Sequence, residues 1–293
     1  MITRIVWAVV SGLVLVLPAR AARADASAPS VAEPAAQSGF FDRLQLRAEL
    51  GLSGRSDPAS RVWVLSPVLG FDYRFSHGFG VGLDWAFAIA NEAPARADAQ
   101  WAAASGPPMT KVRYHARLSA RDTLQLYIGL NVPSAWLPRD AVSRSLARTS
   151  YALAAAARGL WNAWLWAPEQ LVLALGAAWQ HELTPYAVLR LDGAAAGALS
   201  LSRLLRETGL VHAQLAPAIE LHQGPLYLGV RGQAVLTVPQ SDPLQLSASA
   251  YAGVRATHWS LEASGLCNLD EPLGFTGAGL GVCGGWLTAG VAP

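Results

Sequence analysis

Charge is the scarcest commodity in this 293-residue chain: Asp, Glu, Lys and Arg together make up 14% of it, and Lys111 is the single lysine. A soluble domain carries about 25–35% charged residues on its surface, so an ordinary water-facing exterior is excluded. No run of 18 uninterrupted apolar residues occurs either. A membrane-spanning helix needs about 20, so a helical membrane protein is excluded as well. Basic and acidic residues number 22 and 20 and nearly cancel. No bulk charge therefore points to nucleic acid as a partner. Metal-ligand spacings, phosphate loops and nucleotide fingerprints are missing, so neither metal nor cofactor is expected. Cysteine is limited to Cys267 and Cys283.

What the chain has instead is 52% hydrophobic residues laid out with period two. Residues 71–90 show it best. Phe71, Tyr73, Phe75, Phe79, Val81, Leu83, Trp85, Phe87 and Ile89 share one face, and Asp72, Arg74, Gly80, Gly82, Asp84, Ala86 and Ala88 share the other. Successive strand side chains point to opposite sides of a sheet, so this is a hairpin turning at Ser76-His77-Gly78. The same alternation marks twelve candidate strands, near 43–53, 61–75, 79–90, 110–121, 124–132, 149–161, 170–181, 209–221, 226–238, 244–256, 259–267 and 275–290. Of these, 149–161 is the weakest, because Ala152 to Ala157 suits a helix equally well. Two further strands around Asp192-Gly193 give an alternative count of 14; the segment 182–208 otherwise reads as a long loop.

Most of these segments have the 9–11 residues that a tilted strand needs to cross a bilayer. The expected fold is all-β, a transmembrane antiparallel up-and-down barrel over 43–293. Before it come a signal peptide, 1–24, with Arg4, an apolar stretch and Ala22-Arg23-Ala24, and a disordered Ala/Ser/Pro lead-in, 25–42. Alternation alone does not say which face is inside, and a lipocalin-like soluble barrel has the same period. The aromatics decide for the membrane. Tyr73, Phe75, Phe79, Trp161, Trp259 and Trp286 are expected at one interface, and Trp63, Phe87 and Trp179 at the other. Connections also alternate in length, with tight turns at 76–78, 122–123, 222–225 and 257–258 and long ones at 91–109, 133–148 and 182–208. Short turns are periplasmic and long loops extracellular in such barrels.

Over essentially all of residues 43–290 the chain thus resembles the bacterial outer-membrane β-barrel proteins, without a motif specific to any subfamily. The resemblance implies the outer membrane of a Gram-negative bacterium, periplasmic barrel termini, and contacts with outer-membrane lipid and the assembly machinery. Such proteins commonly end on an aromatic residue; this chain ends Gly290-Val291-Ala292-Pro293, with Trp286 the nearest substitute.

Function then depends on what points inward. Lys111, Arg113, His115, Arg117 and Arg121 share the inner face of one strand, joined by Arg47, Arg74, Arg158, Arg231 and Arg255. Glu49, Asp72, Asp84, Glu182, Glu220 and Glu262 oppose them, and Tyr127, Tyr227 and Tyr251 add a hydrogen-bonding lining. Excess basic charge in a narrow pore favours anions, so the expectation is a passive channel for small polar solutes with a tilt toward anions. The alternatives are a barrel plugged by its own ion pairs, structural or adhesive in role, and an outer-membrane hydrolase built on rim residues such as His181 with Glu182, or Asp140. No catalytic residues are expected. The alternation also places Cys267 outward and Cys283 inward, so a disulfide between them requires a bulge or a loop.

Overall fold

Thirteen strands form one antiparallel sheet in the computed structural model, which describes residues 43–291 apart from 57–59, 95–97, 201–208, 272 and 275–280. The expected signal peptide and lead-in lie outside the described residues. The strands are β1 (Leu44–Ser56), β2 (Ser60–Arg74), β3 (Phe79–Pro94), β4 (Gln100–Ser105), β5 (Met109–Arg117), β6 (Asp122–Asn131), β7 (Gln170–Thr184), β8 (Ala187–Ser200), β9 (Gly209–Gln223), β10 (Leu226–Val238), β11 (Leu244–Arg255), β12 (Trp259–Asn268) and β13 (Cys283–Val291). β1 pairs with β13, so all but β4 close into a twelve-stranded ring of sequential neighbours. β4 pairs with the long-loop half of β3, while β5 pairs with its short-turn half.

The alternation becomes two surfaces. Outward positions are aliphatic and exposed, as at Ile128, Leu175, Leu228 and Val230, while Val64, Ala86 and Ala88 on the inner face are fully buried. A closed barrel is the sheet that can show such a face to lipid, because closure leaves no backbone edge unpaired.

Twelve strands is the expected number, with one member exchanged. Residues 149–161 are not a strand. They belong to helix α1 (Ala141–Ala157) and the turns after it, and α1 lies inside the barrel against β1, β2, β3 and β4. Alanine is the best helix former, and Asp140 starts the helix by accepting the Ser143 backbone N–H at 2.8 Å, which holds its carboxyl below the ordinary value. The twelfth strand comes from 187–200, expected as part of a loop; Asp192-Gly193 is no turn but the middle of β8. This exchange reverses β7, so Trp179 stands near the short turns rather than at the far end.

β13 corrects a second expectation. Trp286 pairs with Gly51 and Ser264 and lies under the Arg158 guanidinium, so it faces the lumen. Its neighbours of opposite parity, Cys283 included, face outward. Cys267 and Cys283 are therefore directly opposed on β12 and β13, with Cα atoms 4.2 Å apart, and form a disulfide without any bulge. Gly277 and Gly279, expected in the last strand, lie outside the described residues. The bridge closes a 16-residue separation, and replacing both cysteines by serine is expected to cost about 3 kcal/mol by loop entropy. A lower urea midpoint for unfolding from lipid vesicles, matched by reductant on the wild type, checks this.

Candidate functional site

The lumen has two tiers. Toward the long loops it is apolar on one side, where Val62, Val64, Val68, Ala86, Ala88, Ala90, Val172, Ala174, Ala196 and Ala198 receive α1 and the turn Ala163–Trp166. Small residues on both surfaces let backbones approach closely, and Trp164 is wholly enclosed. Across from them stand polar side chains that hold the plug's tip. Asn162 and Gln214 exchange two hydrogen bonds of 2.9 Å, Asn131 donates to the Trp164 carbonyl at 2.9 Å, and Asn268 donates to the Ala156 carbonyl at 2.8 Å.

Toward the short turns the lumen is ionic. On one wall Asp84, 2% exposed, is shared by Arg47 at 3.1 Å and by Lys111, while Asp72 pairs with Arg113 at 3.0 Å. Lys111 also lies 5.2 Å over the Tyr127 ring. On the other wall Glu220, 1% exposed, takes Arg190 at 3.0 Å, Arg255 at 3.4 Å and His222 at 2.9 Å. Tyr227 donates to Glu262 at 3.0 Å beneath the Arg255 guanidinium, and its ring meets that of Tyr251 at 6.3 Å. Arg231 pairs with Asp192 at 3.4 Å and covers the Trp161 ring at 4.3 Å. The basic wall is thus a set of interleaved ion pairs rather than a free cationic stripe. Arg190 and Asp192 are not among the expected lumen residues because 182–208 reads as a loop; the alternation Leu189-Arg190-Leu191-Asp192 carries the signal.

Other expected residues fall elsewhere. Arg158 lines the lumen from the end of α1, not from a strand, and pairs with Glu49. Arg74, Arg117 and Arg121 are exposed at the short-turn mouth, where His115 is half-buried and Arg117 folds back onto the carbonyls of Ser119 and Ala120. Of the expected girdle, Trp63, Tyr73, Phe75, Phe79 and Trp259 point outward, whereas Trp161 and Trp286 stand inside.

His181 meets neither Glu182 nor Asp140. Its Nδ1 lies 2.9 Å from Asp122, whose other oxygen accepts the Ser119 hydroxyl at 2.5 Å and which also takes the Trp179 indole N–H. A hydrolytic relay places histidine between serine and carboxylate. Here the carboxylate lies between, and the cluster staples the β5–β6 turn to β7. Among the described residues no three His, Cys, Asp or Glu side chains converge as metal ligands.

No family model matches the chain, and no curated protein matches it. Solved structures do. The chain is similar to an outer membrane channel from Pseudomonas putida F1, with a TM-score of 0.55 at 11% identity, covering 89% of this chain and 99% of that one. The KdgM porin follows with a TM-score of 0.46 at 7% identity, covering 84% and 98%. The translocator domain of the autotransporter NalP from Neisseria meningitidis scores 0.46 at 10% identity, covering 87% and 89%. Identity this low speaks for architecture and nothing narrower: the chain is a β-barrel of the outer-membrane type.

Proposed function

We propose that the protein is a passive outer-membrane channel for small polar solutes, with anions favoured, whose lumen is closed in this conformation by the inserted segment 141–166. The reading rests on one observation. The half of the lumen toward the short turns is lined with charged and hydroxyl side chains, and a folded-in segment packs into the half above it. A barrel meant to be solid has no need of a charged interior. That the similar barrel from Pseudomonas putida F1 is a channel accords with this.

The anion preference belongs to the mouth, since the interior charges are paired. Arg74, Arg117 and Arg121 stand there against Glu182 and the histidine-paired Asp122, and a rim with an excess of one sign raises the local concentration of counter-ions. The short turns and both chain termini of the barrel lie on the periplasmic side in this reading, and the aliphatic wall meets outer-membrane lipid after insertion by the assembly machinery.

The competing reading is a structural or adhesive barrel, favoured by the hydrogen bonds that tie the plug's tip to β6, β9 and β12. Planar-bilayer recording separates them. The full chain is expected to show brief conductance steps from a closed baseline. A variant with 141–166 replaced by a short Gly-Ser linker is expected to show long-lived ones, with chloride preferred over potassium. A silent linker variant sinks the channel; a silent full chain beside a conducting variant favours the structural barrel; potassium preference sinks the anion tilt.

A further inference from the structure

Arg158 is the charged group at the inner end of the plug. It caps the C-terminus of α1, where the helix dipole favours a cation. Its guanidinium lies between two indoles, 5.3 Å from the Trp166 ring and 5.6 Å from the Trp286 ring, with Nη1 on the Glu49 carboxylate. The two side chains are 14% and 11% exposed. Nη2 is fully buried beside Gly51 and, among the described residues, has no hydrogen-bond partner. A Cβ on Gly51 would meet Ser66 Oγ first and would stand 3.3 Å from Nη2, so the absence of a side chain here lets both groups approach the wall.

A guanidinium presents a planar fork that matches two oxygens of a carboxylate or phosphate. Glu49 engages one prong. The other is a strong donor held out of water, and an anion that takes both prongs gains a bond that Glu49 does not make. Displaced Glu49 keeps a cation nearby, because Arg47, which also serves Asp84, lies two residues away on the same face of β1. The plug's other ties to the strands are uncharged amide bonds and one cation–ring contact, and Arg148 of α1 pairs with Glu169, just before β7, at 2.7 Å. Among the described residues, Arg158 with Glu49 is the ion pair between the plug and a strand.

We propose that Arg158 is the anion-recognition residue of the channel: a small carboxylate or phosphate arriving through the ionic tier takes its two prongs, displaces Glu49 and unlatches the plug. This rests on the channel reading above, and it names both the solute class and the control.

The test is open probability of the full chain in planar bilayers in potassium chloride, with inorganic phosphate, acetate or glycerol added to both sides. Phosphate and acetate are expected to raise it roughly tenfold, an ordinary size for coupling between a ligand and a conformational change, and glycerol to leave it unchanged. E49Q is expected to open without added anion. R158K keeps the charge but not the fork, and is expected to stay latched and lose the response. An anion-insensitive full chain beside an open E49Q overturns the proposal while leaving the channel standing, as does an R158K that responds like wild type. A silent linker variant overturns the channel instead, so the two failures are distinguishable.

Discussion

Asp84→Ala is expected to destabilise the folded barrel by about 3–5 kcal/mol, the usual cost of removing one partner from a buried ion pair. Asp84 is 2% exposed and takes both Arg47 and Lys111. The two cations do not count equally. Arg47 is 45% exposed and can turn to water, so its loss of partner is worth little. Lys111 is 9% exposed and lies against the Tyr127 ring, with no comparable escape. The cost therefore belongs to Lys111, and Asp84→Ala combined with Lys111→Met is expected to recover most of it. Urea unfolding from lipid vesicles, followed by tryptophan fluorescence, measures the cycle. A single-mutant loss below about 1 kcal/mol, the level of exposed ion pairs, would mean that water reaches the network, and the two-tier description of the lumen would fall with it.

Lys111 and Asp84 were both legible as inward residues because their strands alternate without interruption. The hairpin at 71–90 fixed its own phase through nine outward apolar residues, and the structure follows that phase residue by residue. Two segments defeated the same reasoning for physical causes. In 149–161 and in 187–200 the apolar residue is mostly alanine, small enough to serve a strand face, a helix face or a lumen wall. Period two and period 3.6 are then both satisfied, and only the tertiary setting decides. Ala152–Ala157 became a helix because five of its six residues, Leu153 to Ala157, are buried inside the barrel; Ala194–Ala198 became a strand because β7 and β9 flank it. In β13 the sequence Cys283-Gly284-Gly285-Trp286 has too few large side chains to set a phase, and an error of one residue moves every side chain to the opposite face. The disulfide and the inward Trp286 both follow from that single shift.

The site was legible in part for the same reason. Residues on well-patterned strands, such as Asp72, Arg113, Tyr227 and Arg255, stand in the lumen where the alternation placed them. What period two does not encode is pairing: whether an inward arginine is free depends on which acid the neighbouring walls supply. Arg231 meets Asp192 from a strand that was not recognised, and Arg158 meets Glu49 from a helix. An insertion that folds back into its own barrel leaves no periodic trace on the wall that receives it, apart from small residues at the points of contact.

Gly284 is one of those points, and Gly284→Val is expected to unseat the inner end of the plug. A Cβ on Gly284 would come within 2.7 Å of both the Cβ and the carbonyl oxygen of Ala157 at the end of α1. Neither atom belongs to a flexible side chain, so the clash is relieved only by moving the helix end or the wall. The wall is tied in register on both sides, Gly284 opposing Ser53 and Leu266. The helix end is held by single hydrogen bonds and the Arg158 pair, so the helix moves. Overpacking costs about 1–3 kcal/mol, comparable with the few net hydrogen bonds, at about 1 kcal/mol each, that seat the tip. Open probability in planar bilayers is therefore expected to rise by one to two orders of magnitude (about 1.4 kcal/mol per tenfold), without phosphate and with the Arg158 fork intact. Gly285→Ala is the matched control: it lies one residue along, faces outward, and its Cβ would make only an ordinary contact, 3.6 Å from the Ser264 carbonyl. A Gly284→Val barrel that folds and stays closed would show that the plug yields without leaving, and that the segment is part of the barrel's permanent core.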